Sequence, residues 1–366
     1  MLDQGKLTPY QLFCIIAAFL AGNSIIMQSL NVAGRDTWMS VILAVLAGVG
    51  MVWVTTRLAV QFPSLTLIEY AQVLFGKNLG KVIGIFYVWF FLHLGSLVLR
   101  NYGEFMTTLI MPETPLWFFD LSLALVVAYL VYQGVEVMGR LSEIIFFLGM
   151  VFIVIAMTLL GLSGILDIKN LYPLLERGTS KVIQGVIPTA SFPYLQIILF
   201  TMIFPRVNMP ARSRNAAIWA IVLIGMVLDG VLIMGIALLG ETMASLSFPG
   251  YYIFRLIRVG EFIERIDPVL MSMFLMGSFM KIGVCFYAFV LGLAQLLGLK
   301  DYKPLIMPSS VIMVVIGLLA YDNTFEIFNF ATNIYPVYAF PFQVVLPILM
   351  LILARFRNKE AKARND

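Results

Sequence analysis

The segment Val186–Gln196, which reads VIPTASFPYLQ, interrupts a long apolar stretch with two prolines, Pro188 and Pro193. Each proline removes a backbone N–H donor and clashes with the preceding helical turn. Inside a bilayer the freed backbone groups find no water, so such a break survives only within protein or beside a cavity. The segment therefore predicts a broken membrane helix and a binding site at the break.

The composition requires a membrane protein, because 61% of the 366 residues are hydrophobic and only 12% are charged. Ten apolar spans fit the sequence, at about 9–30, 38–61, 80–110, 116–133, 141–162, 181–204, 212–240, 268–298, 305–321 and 326–354. The distribution of Lys and Arg, including the basic tail 355–366, favours cytoplasmic termini. We expect a single transmembrane domain in the lipid bilayer, with a short interfacial helix within residues 62–81.

A second weak point lies in the first span, where Leu20–Ser24 reads LAGNS. Glycine weakens a helix interior, and Asn and Ser side chains compete for backbone hydrogen bonds. The two weak points are five spans apart, which predicts two inverted five-helix repeats, at about 9–162 and 181–354. For Gly22 alone, a close helix–helix contact is the alternative interpretation.

The two breaks also predict the chemistry of a ligand. Free N–H groups at the start of a half-helix attract a carboxylate, and carbonyls freed at the same breaks accept hydrogen bonds from an ammonium group. Together these groups suit a small zwitterionic amino acid.

Span 3 carries five polar residues on one helical face, namely His93, Ser96, Arg100, Glu104 and Thr107. Arg100 and Glu104 are four residues apart, and we expect a structural ion pair near the outer interface. His93 is either a proton-sensitive element of a permeation path or a packed histidine.

Lys281 lies in the middle of span 8, where its ammonium group needs a partner such as Asp229 or carbonyls freed by a break. It either occupies the place of a sodium ion at a functional site or locks two helices together through a charge pair. Gly283 and Tyr287 lie on a face roughly opposite Lys281. They either leave room for a ligand beside an aromatic wall or simply pack.

Motifs for catalysis or metal binding are absent: the sequence has no P-loop, HExxH motif, nucleophile elbow or Cys/His cluster. We therefore expect no enzyme activity, no cofactor, no metal and no nucleic-acid partner.

Four stretches resemble the B subunit of spore germinant receptors, the GerAB-type germination permeases of the amino acid–polyamine–organocation superfamily. They are FPSLTLIEYAQVLFGKNLGK (62–81), NLYPLL (170–175), SFPYLQIILFTMIFP (191–205) and FMKIGVCFYAFVLGLAQLLGLKDYKPLIMP (279–308). The resemblance implies an all-α, LeuT-like fold of two inverted five-helix repeats with helices 1 and 6 broken. It also implies a nutrient sensor of the spore inner membrane whose partners are a membrane-embedded A subunit and a lipoprotein C subunit.

By position, the resemblance assigns a ligand pocket to the broken spans and to spans 3 and 8. The assigned residues are Gly22, Asn23, Ser24, Ser96, Tyr102, Ser191, Phe192, Tyr194, Gly283 and Tyr287. Coupling is expected at Lys281, His93, Gln196 and Asp229. Many relatives carry Glu at the position of Gln196, and because glutamine does not titrate, proton coupling through this position is in doubt.

Three functions remain open at this point. The leading hypothesis is a receptor subunit that binds a small amino acid and signals to its partners. The alternatives are a proton-coupled amino-acid transporter and a component of a triggered water or ion channel. Fold alone does not separate them.

Overall fold

Ten long apolar helices make up the computed structural model, which describes residues 5–256 and 267–363. Numbered in chain order, the spans are Pro9–Met27, Gly34–Gln61, Lys77–Ile110, Leu116–Gln133, Val135–Leu162, Thr179–Met202, Arg212–Ser245, Pro268–Leu297, Lys303–Ala320 and Thr324–Arg357. The predicted number of spans is therefore confirmed. Span 5 begins earlier than expected, because the turn that precedes it is a single residue, Gly134, at φ 92°. The last three residues of the predicted basic tail lie outside the described residues.

Spans 4, 5, 8 and 9 are continuous α-helices, and spans 2 and 7 add only a short 3₁₀ helix at one end. Spans 1, 3, 6 and 10 are interrupted or change helix type along their length. Span 1 contains the α-helices Pro9–Ala21 and Ser24–Met27, span 3 contains Lys77–Phe105, and span 6 contains Thr179–Ser191. Span 10 contains the α-helices Thr324–Asn329, Tyr335–Phe340 and Leu346–Ala363. π-Helical turns occupy Met106–Ile110 in span 3 and Phe330–Ile334 and Pro341–Val345 in span 10. π-Turns are often found at functional sites, which draws attention to span 10.

The short helix predicted after span 2 is present at Leu67–Phe75. Thr66 and Glu69 start it with a capping box, in which each side chain bonds the backbone N–H of the other. A further short helix, Pro249–Arg255, follows span 7.

The centre of the bundle is built from spans 1, 3, 6 and 8. Within its most apolar window, span 8 has 83% of its residues buried, whereas span 5 has only 17%. A helix that is hydrophobic all round but exposed along most of its length belongs against lipid. Span 5 therefore faces the bilayer, and the two broken spans lie in the protein interior.

Span 1 breaks at Gly22, as the sequence predicts. The helix ends at Ala21, Gly22 adopts φ +23°, and the chain turns back into a helix at Ser24. Gly277 of span 8 crosses here so closely that a Cβ atom on Gly277 would lie 2.6 Å from the Gly22 carbonyl oxygen. The break and the close helix contact, considered as alternatives for Gly22, are thus both present.

Span 6 breaks at Phe192–Pro193, and Tyr194–Met202 continues as a 3₁₀ helix. Pro188, which was expected to break the helix, lies inside the α-helix Thr179–Ser191. Polar side chains support the helix next to it, because the hydroxyl of Thr189 and the amide of Asn31 both donate to the Gly185 carbonyl.

The N-terminal segment is tied to the end of span 6 by an isolated parallel β-bridge between Leu7 and Val207. The Leu7 N–H donates to the Arg206 carbonyl at 2.8 Å, and the Asn208 N–H donates to the Leu7 carbonyl at 2.9 Å. This terminal bridge joins the two broken spans on the side of the bundle where span 1 begins and span 10 ends.

Candidate functional site

A cavity of about 160 Å³ lies between the two broken spans, span 3 and the start of span 10. The second half of span 1 and the residues that follow it form one wall, from Ser24 to Asn31. Span 6 contributes the residues around its break, including Thr189, Phe192 and Tyr194. The cavity reaches the surface beside Thr332, which is exposed and lines it.

Three of the ten predicted ligand-binding residues line this cavity, namely Ser24, Phe192 and Tyr194. Gly22, Asn23 and Ser191 lie at the breaks but do not line it. The Asn23 amide donates to the Met27 sulfur at 3.3 Å, and the Ser191 hydroxyl donates to the Ile187 carbonyl at 2.9 Å.

The other four predicted residues face neighbouring helices and not the cavity. Ser96 packs against Gly317 of span 9, and the ring of Tyr102 stacks on Phe274 at 6.3 Å. A Cβ atom on Gly283 would meet Leu130 of span 4, and Tyr287 lies edge-on to Tyr302 at 6.0 Å. The structure therefore does not bring these residues together with the two breaks. The resemblance assigned them by position along the chain, which does not tell which neighbour each helix face meets.

Four polar atoms of the cavity wall are buried without a hydrogen-bond partner. They are the hydroxyls of Ser24 and Tyr194 and the side-chain carbonyl oxygens of Gln28 and Asn101. Buried polar groups are nearly always satisfied in native proteins. Two hydroxyls and two side-chain carbonyl oxygens around the cavity thus lack a partner: Ser24 and Tyr194 belong to spans 1 and 6, Asn101 to span 3, and Gln28 directly follows span 1.

A cluster of two glutamines and a tyrosine supports the break in span 6. The amides of Gln196 and Gln343 donate to the Tyr335 hydroxyl, at 2.9 and 3.2 Å, and Gln343 also donates to the Ser191 carbonyl at 3.1 Å. Tyr335 also lines the cavity. The last carbonyl of the helix that ends at Ser191 is thus satisfied by span 10.

Lys281 lies between the two breaks and is completely buried. Its ammonium nitrogen is 3.7 Å from the centre of the Phe192 ring and 5.1 Å from that of Phe19. Its aliphatic chain packs beside Gly22. Such cation–π contacts with aromatic faces attract a desolvated ammonium group.

The proposed pairing of Lys281 with Asp229 is wrong for the described part of the chain, where no ion pair joins the two and the ammonium nitrogen has no hydrogen-bond partner. The expectation failed because a buried ammonium group needs a stabilising contact, but that contact need not be a carboxylate. The two aromatic rings supply such a contact here. Asp229 follows Leu228, a cavity residue, and does not itself line the cavity.

The remaining polar residues of span 3 have structural contacts. Arg100 and Glu104 form the predicted ion pair at 3.2 Å, and Arg100 also donates to the Tyr321 carbonyl. His93 stacks on Trp89 at 5.5 Å and lies edge-on to Tyr338 at 5.3 Å. These surroundings correspond to the packed-histidine interpretation.

Sequence reasoning missed several residues of the site, above all Gln28, Asn31, Asn101, Tyr335 and Gln343. Polar residues inside apolar spans are rare and worth attention in any membrane protein. That signal was present for Asn101, which follows Arg100, and for Gln343, which lies beside Pro341.

The fold and the site define a class: a polytopic, permease-like membrane protein with a cavity at two broken helices. Two solved transporters share this fold. Mhp1, a nucleobase-cation-symport-1 family transporter in a closed conformation with bromovinylhydantoin bound, has a TM-score of 0.72 and 11% identity over 95% of this chain and 78% of its own. MhsT in complex with L-phenylalanine has a TM-score of 0.59 and 12% identity over 96% of this chain and 97% of its own. The predicted LeuT-like fold is thereby confirmed.

The chain belongs to the spore germination protein family, whose family model matches residues 6–325. Spore germination protein KB of Bacillus subtilis is 27% identical over 98% of this chain and 97% of its own. YndE of the same organism is 27% identical over 98% of each chain, and protein XB of Bacillus anthracis is 26% identical over 92% and 93%. The chain is therefore an integral membrane protein of a permease-like germination family and not an enzyme.

Proposed function

We propose that this chain is the germinant-sensing subunit of a spore germination receptor and that it binds a small amino acid in the cavity between spans 1 and 6. The observation that carries the proposal is the set of four unpartnered polar atoms at the breaks. The relatives named as spore germination proteins and the L-phenylalanine bound by MhsT support it. The residues that hold the ligand backbone are Ser24, Gln28, Asn101 and Tyr194.

Binding is tested by measuring the melting temperature of the purified chain with each amino acid in turn. A ligand that binds only the folded state raises stability by about 2.7 kcal/mol at a hundredfold excess over its Kd. We expect at least one amino acid to raise the melting temperature. The double variant Ser24→Ala/Tyr194→Phe removes both hydroxyl donors and should lose the effect. No response to any amino acid contradicts the proposal.

Signalling requires partners, and we place the chain in the spore inner membrane with both termini cytoplasmic, beside a membrane-embedded A subunit and a lipoprotein C subunit. A ligand shifts a conformational equilibrium only by its differential affinity for the two states. Co-expression of the three subunits should allow a tag on this chain to retain the other two. Purification of this chain alone from such membranes contradicts the partnership.

The second candidate function is amino-acid transport, which the fold shared with Mhp1 and MhsT favours. Counterflow of labelled amino acid into liposomes containing only this chain separates the two. A sensor is expected to bind without exchange. Robust, substrate-specific exchange would identify a transporter.

A further inference from the structure

A second cavity, of about 670 Å³, lies on the terminal side of the bundle, where span 1 begins and span 10 ends. Its volume is within the range of pockets that hold a small molecule. Its walls are the segment 64–73, which includes most of the helix Leu67–Phe75, the start of span 3, residues 205–206 after span 6, and the end of span 8 with the loop after it. None of the described residues lines both this basic cavity and the cavity between the broken spans.

The basic cavity lies at the depth of the lipid headgroups. Its lining residues fall at the ends of membrane spans or in the connections just beyond them, because span 3 begins at Lys77 and span 8 ends at Leu297. Two lining residues, Val73 and Leu299, are apolar and 44% and 40% exposed. An opening that combines polar groups with exposed apolar side chains suits an amphipathic molecule.

The charged side chains that line this cavity are mainly basic. Lys77, Arg206 and Lys300 come from three different parts of the chain, and Glu69 is the one acidic side chain among the described lining residues. An oxygen of Glu69 already accepts a hydrogen bond from the Thr66 N–H at 2.8 Å, in the capping box of the short helix. The excess of positive charge attracts an anion into the cavity.

The basic groups reach the cavity from its buried and its exposed sides. Arg206 is only 6% exposed, whereas Lys77 and Lys300 are exposed. Lys77 also starts the long helix of span 3, whose first turn has no acidic side chain, so the partial positive charge of that helix end adds to the attraction. Arg357, at the end of span 10, donates to the carbonyl of the lining residue Val73 and brings a fourth cation to the same wall.

We infer that this basic cavity binds the phosphate headgroup of an anionic membrane lipid. A guanidinium group binds a phosphate through two parallel hydrogen bonds, which is the role of Arg206, and Lys77 and Lys300 add charge at the opening. The acyl chains pass Val73 and Leu299 into the bilayer. The occupant is a lipid and not a soluble anion, because the opening joins basic groups to exposed apolar residues at the membrane surface.

A lipid bound here connects parts of the chain that meet on the terminal side. Arg206 supplies the carbonyl that accepts the Leu7 N–H in the terminal bridge. The hydroxyl of Thr66 donates to the side-chain oxygen of Gln295 at 2.8 Å, and both residues line the cavity. A headgroup in the cavity adds contacts among the end of span 6, the short helix and span 8. The lipid should therefore raise the melting temperature, as any ligand that binds only the folded state does.

The test measures lipid bound to the purified full chain in detergent by native mass spectrometry, with phosphatidylglycerol and phosphatidylcholine offered at equal concentration. The wild-type chain should retain mainly phosphatidylglycerol. A basic residue near a membrane surface contributes about 1 kcal/mol of attraction to anionic lipid, which is about fivefold in binding. The double variant Lys77→Gln/Lys300→Gln should therefore lower the ratio of bound phosphatidylglycerol to phosphatidylcholine roughly 30-fold. Equal retention of the two lipids by the wild-type chain overturns the inference.

The double variant Lys81→Gln/Lys303→Gln is the matched control. It removes the same charge from two exposed lysines near the same span ends, and neither of them lines the cavity. The control should keep the wild-type preference for phosphatidylglycerol. An equal loss of preference in both double variants indicates a general attraction to surface charge and overturns the site. All four lysines are exposed, so these substitutions leave the buried core unchanged.

Competition distinguishes a lipid from soluble anions. Inorganic phosphate, glycerol phosphate and a glutamate-rich peptide, each at the concentration of phosphatidylglycerol, should leave the lipid bound, because they lack acyl chains. Displacement of the lipid by any of the three overturns a lipid as the occupant. The response of the melting temperature to amino acids should persist in Lys77→Gln/Lys300→Gln, because none of the described residues lines both cavities. The result is therefore independent of the proposed function.

Discussion

At the scale of single residues, Lys281 has the most unusual surroundings in the bundle. It is fully buried, and its ammonium group meets the rings of Phe192 and Phe19 without a hydrogen-bond partner. A buried charge of this kind is costly and is retained mainly at functional positions. Because Phe192 also lines the cavity, Lys281 contacts the ligand site through a single aromatic ring.

Lys281→Met keeps an aliphatic chain beside Gly22 and removes the charge. Because an unpaired buried charge costs several kcal/mol, we expect the variant to melt at a temperature no lower than the wild-type protein. The stabilisation by ligand should be lost, because Phe192 no longer has the ammonium group that positions it. Lys300→Met, at an exposed lysine just after span 8, is the control and should retain the ligand response. A variant that fails to fold indicates a structural role instead.

At the scale of helices, the crossing of spans 1 and 8 depends on two glycines. Gly277→Ala places a Cβ atom 2.6 Å from the carbonyl oxygen of Gly22. Because this oxygen belongs to the backbone, the clash can be relieved only if the backbone of one of the two helices shifts. We expect a loss of about 1–3 kcal/mol in stability, seen as a lower melting temperature. Gly149→Ala in span 5 is the matched control, since its Cβ atom meets nothing within 4 Å. It should be neutral or stabilise by up to about 1 kcal/mol. Equal effects of the two substitutions contradict a specific role for the crossing.

Much of each helix could be predicted from local sequence. The apolar runs determined the ten spans, and the LAGNS and SFPYLQ segments indicated where two of them break. Pro188 lies inside an α-helix that continues to Ser191, and the Gly185 carbonyl on the turn before it accepts hydrogen bonds from the Thr189 hydroxyl and the Asn31 amide. Whether such partners exist depends on the packing of span 6 against residues far away in the chain.

At the scale of the whole molecule, the site depended on tertiary structure that the sequence did not reveal. Ser24, Phe192 and Tyr194 lie at the breaks themselves and also line the cavity. Gly283 and Tyr287 lie against span 4 and Tyr302, whereas the start of span 10 closes the cavity. No local pattern tells which span will cover a break.

The terminal bridge provides a test of the whole-molecule mechanism. Paired strands lie about 4.7–4.9 Å apart, which is within the Cα separation that a disulfide spans. We expect the oxidised double variant Leu7→Cys/Val207→Cys to keep its ligand-induced rise in melting temperature, because a sensor need not open on the terminal side. The reduced form and each single variant serve as controls, and the native Cys14 and Cys285 are buried. Loss of the ligand response on oxidation, restored by a reductant, contradicts this expectation and indicates that ligand binding requires movement on the terminal side.

None of the described residues that line the cavity between the broken spans is charged, and this has a consequence for the conditions under which the protein works. Dissolved ions screen attraction between charges over a distance of about 10 Å at 0.1 M salt, and so they weaken the binding of ligands held by net charge. A net-neutral amino acid held by amides, hydroxyls and aliphatic side chains has little such attraction to lose. Occupancy of this cavity by a ligand without net charge would then depend on the concentration of that ligand and hardly on the ionic strength of the surroundings.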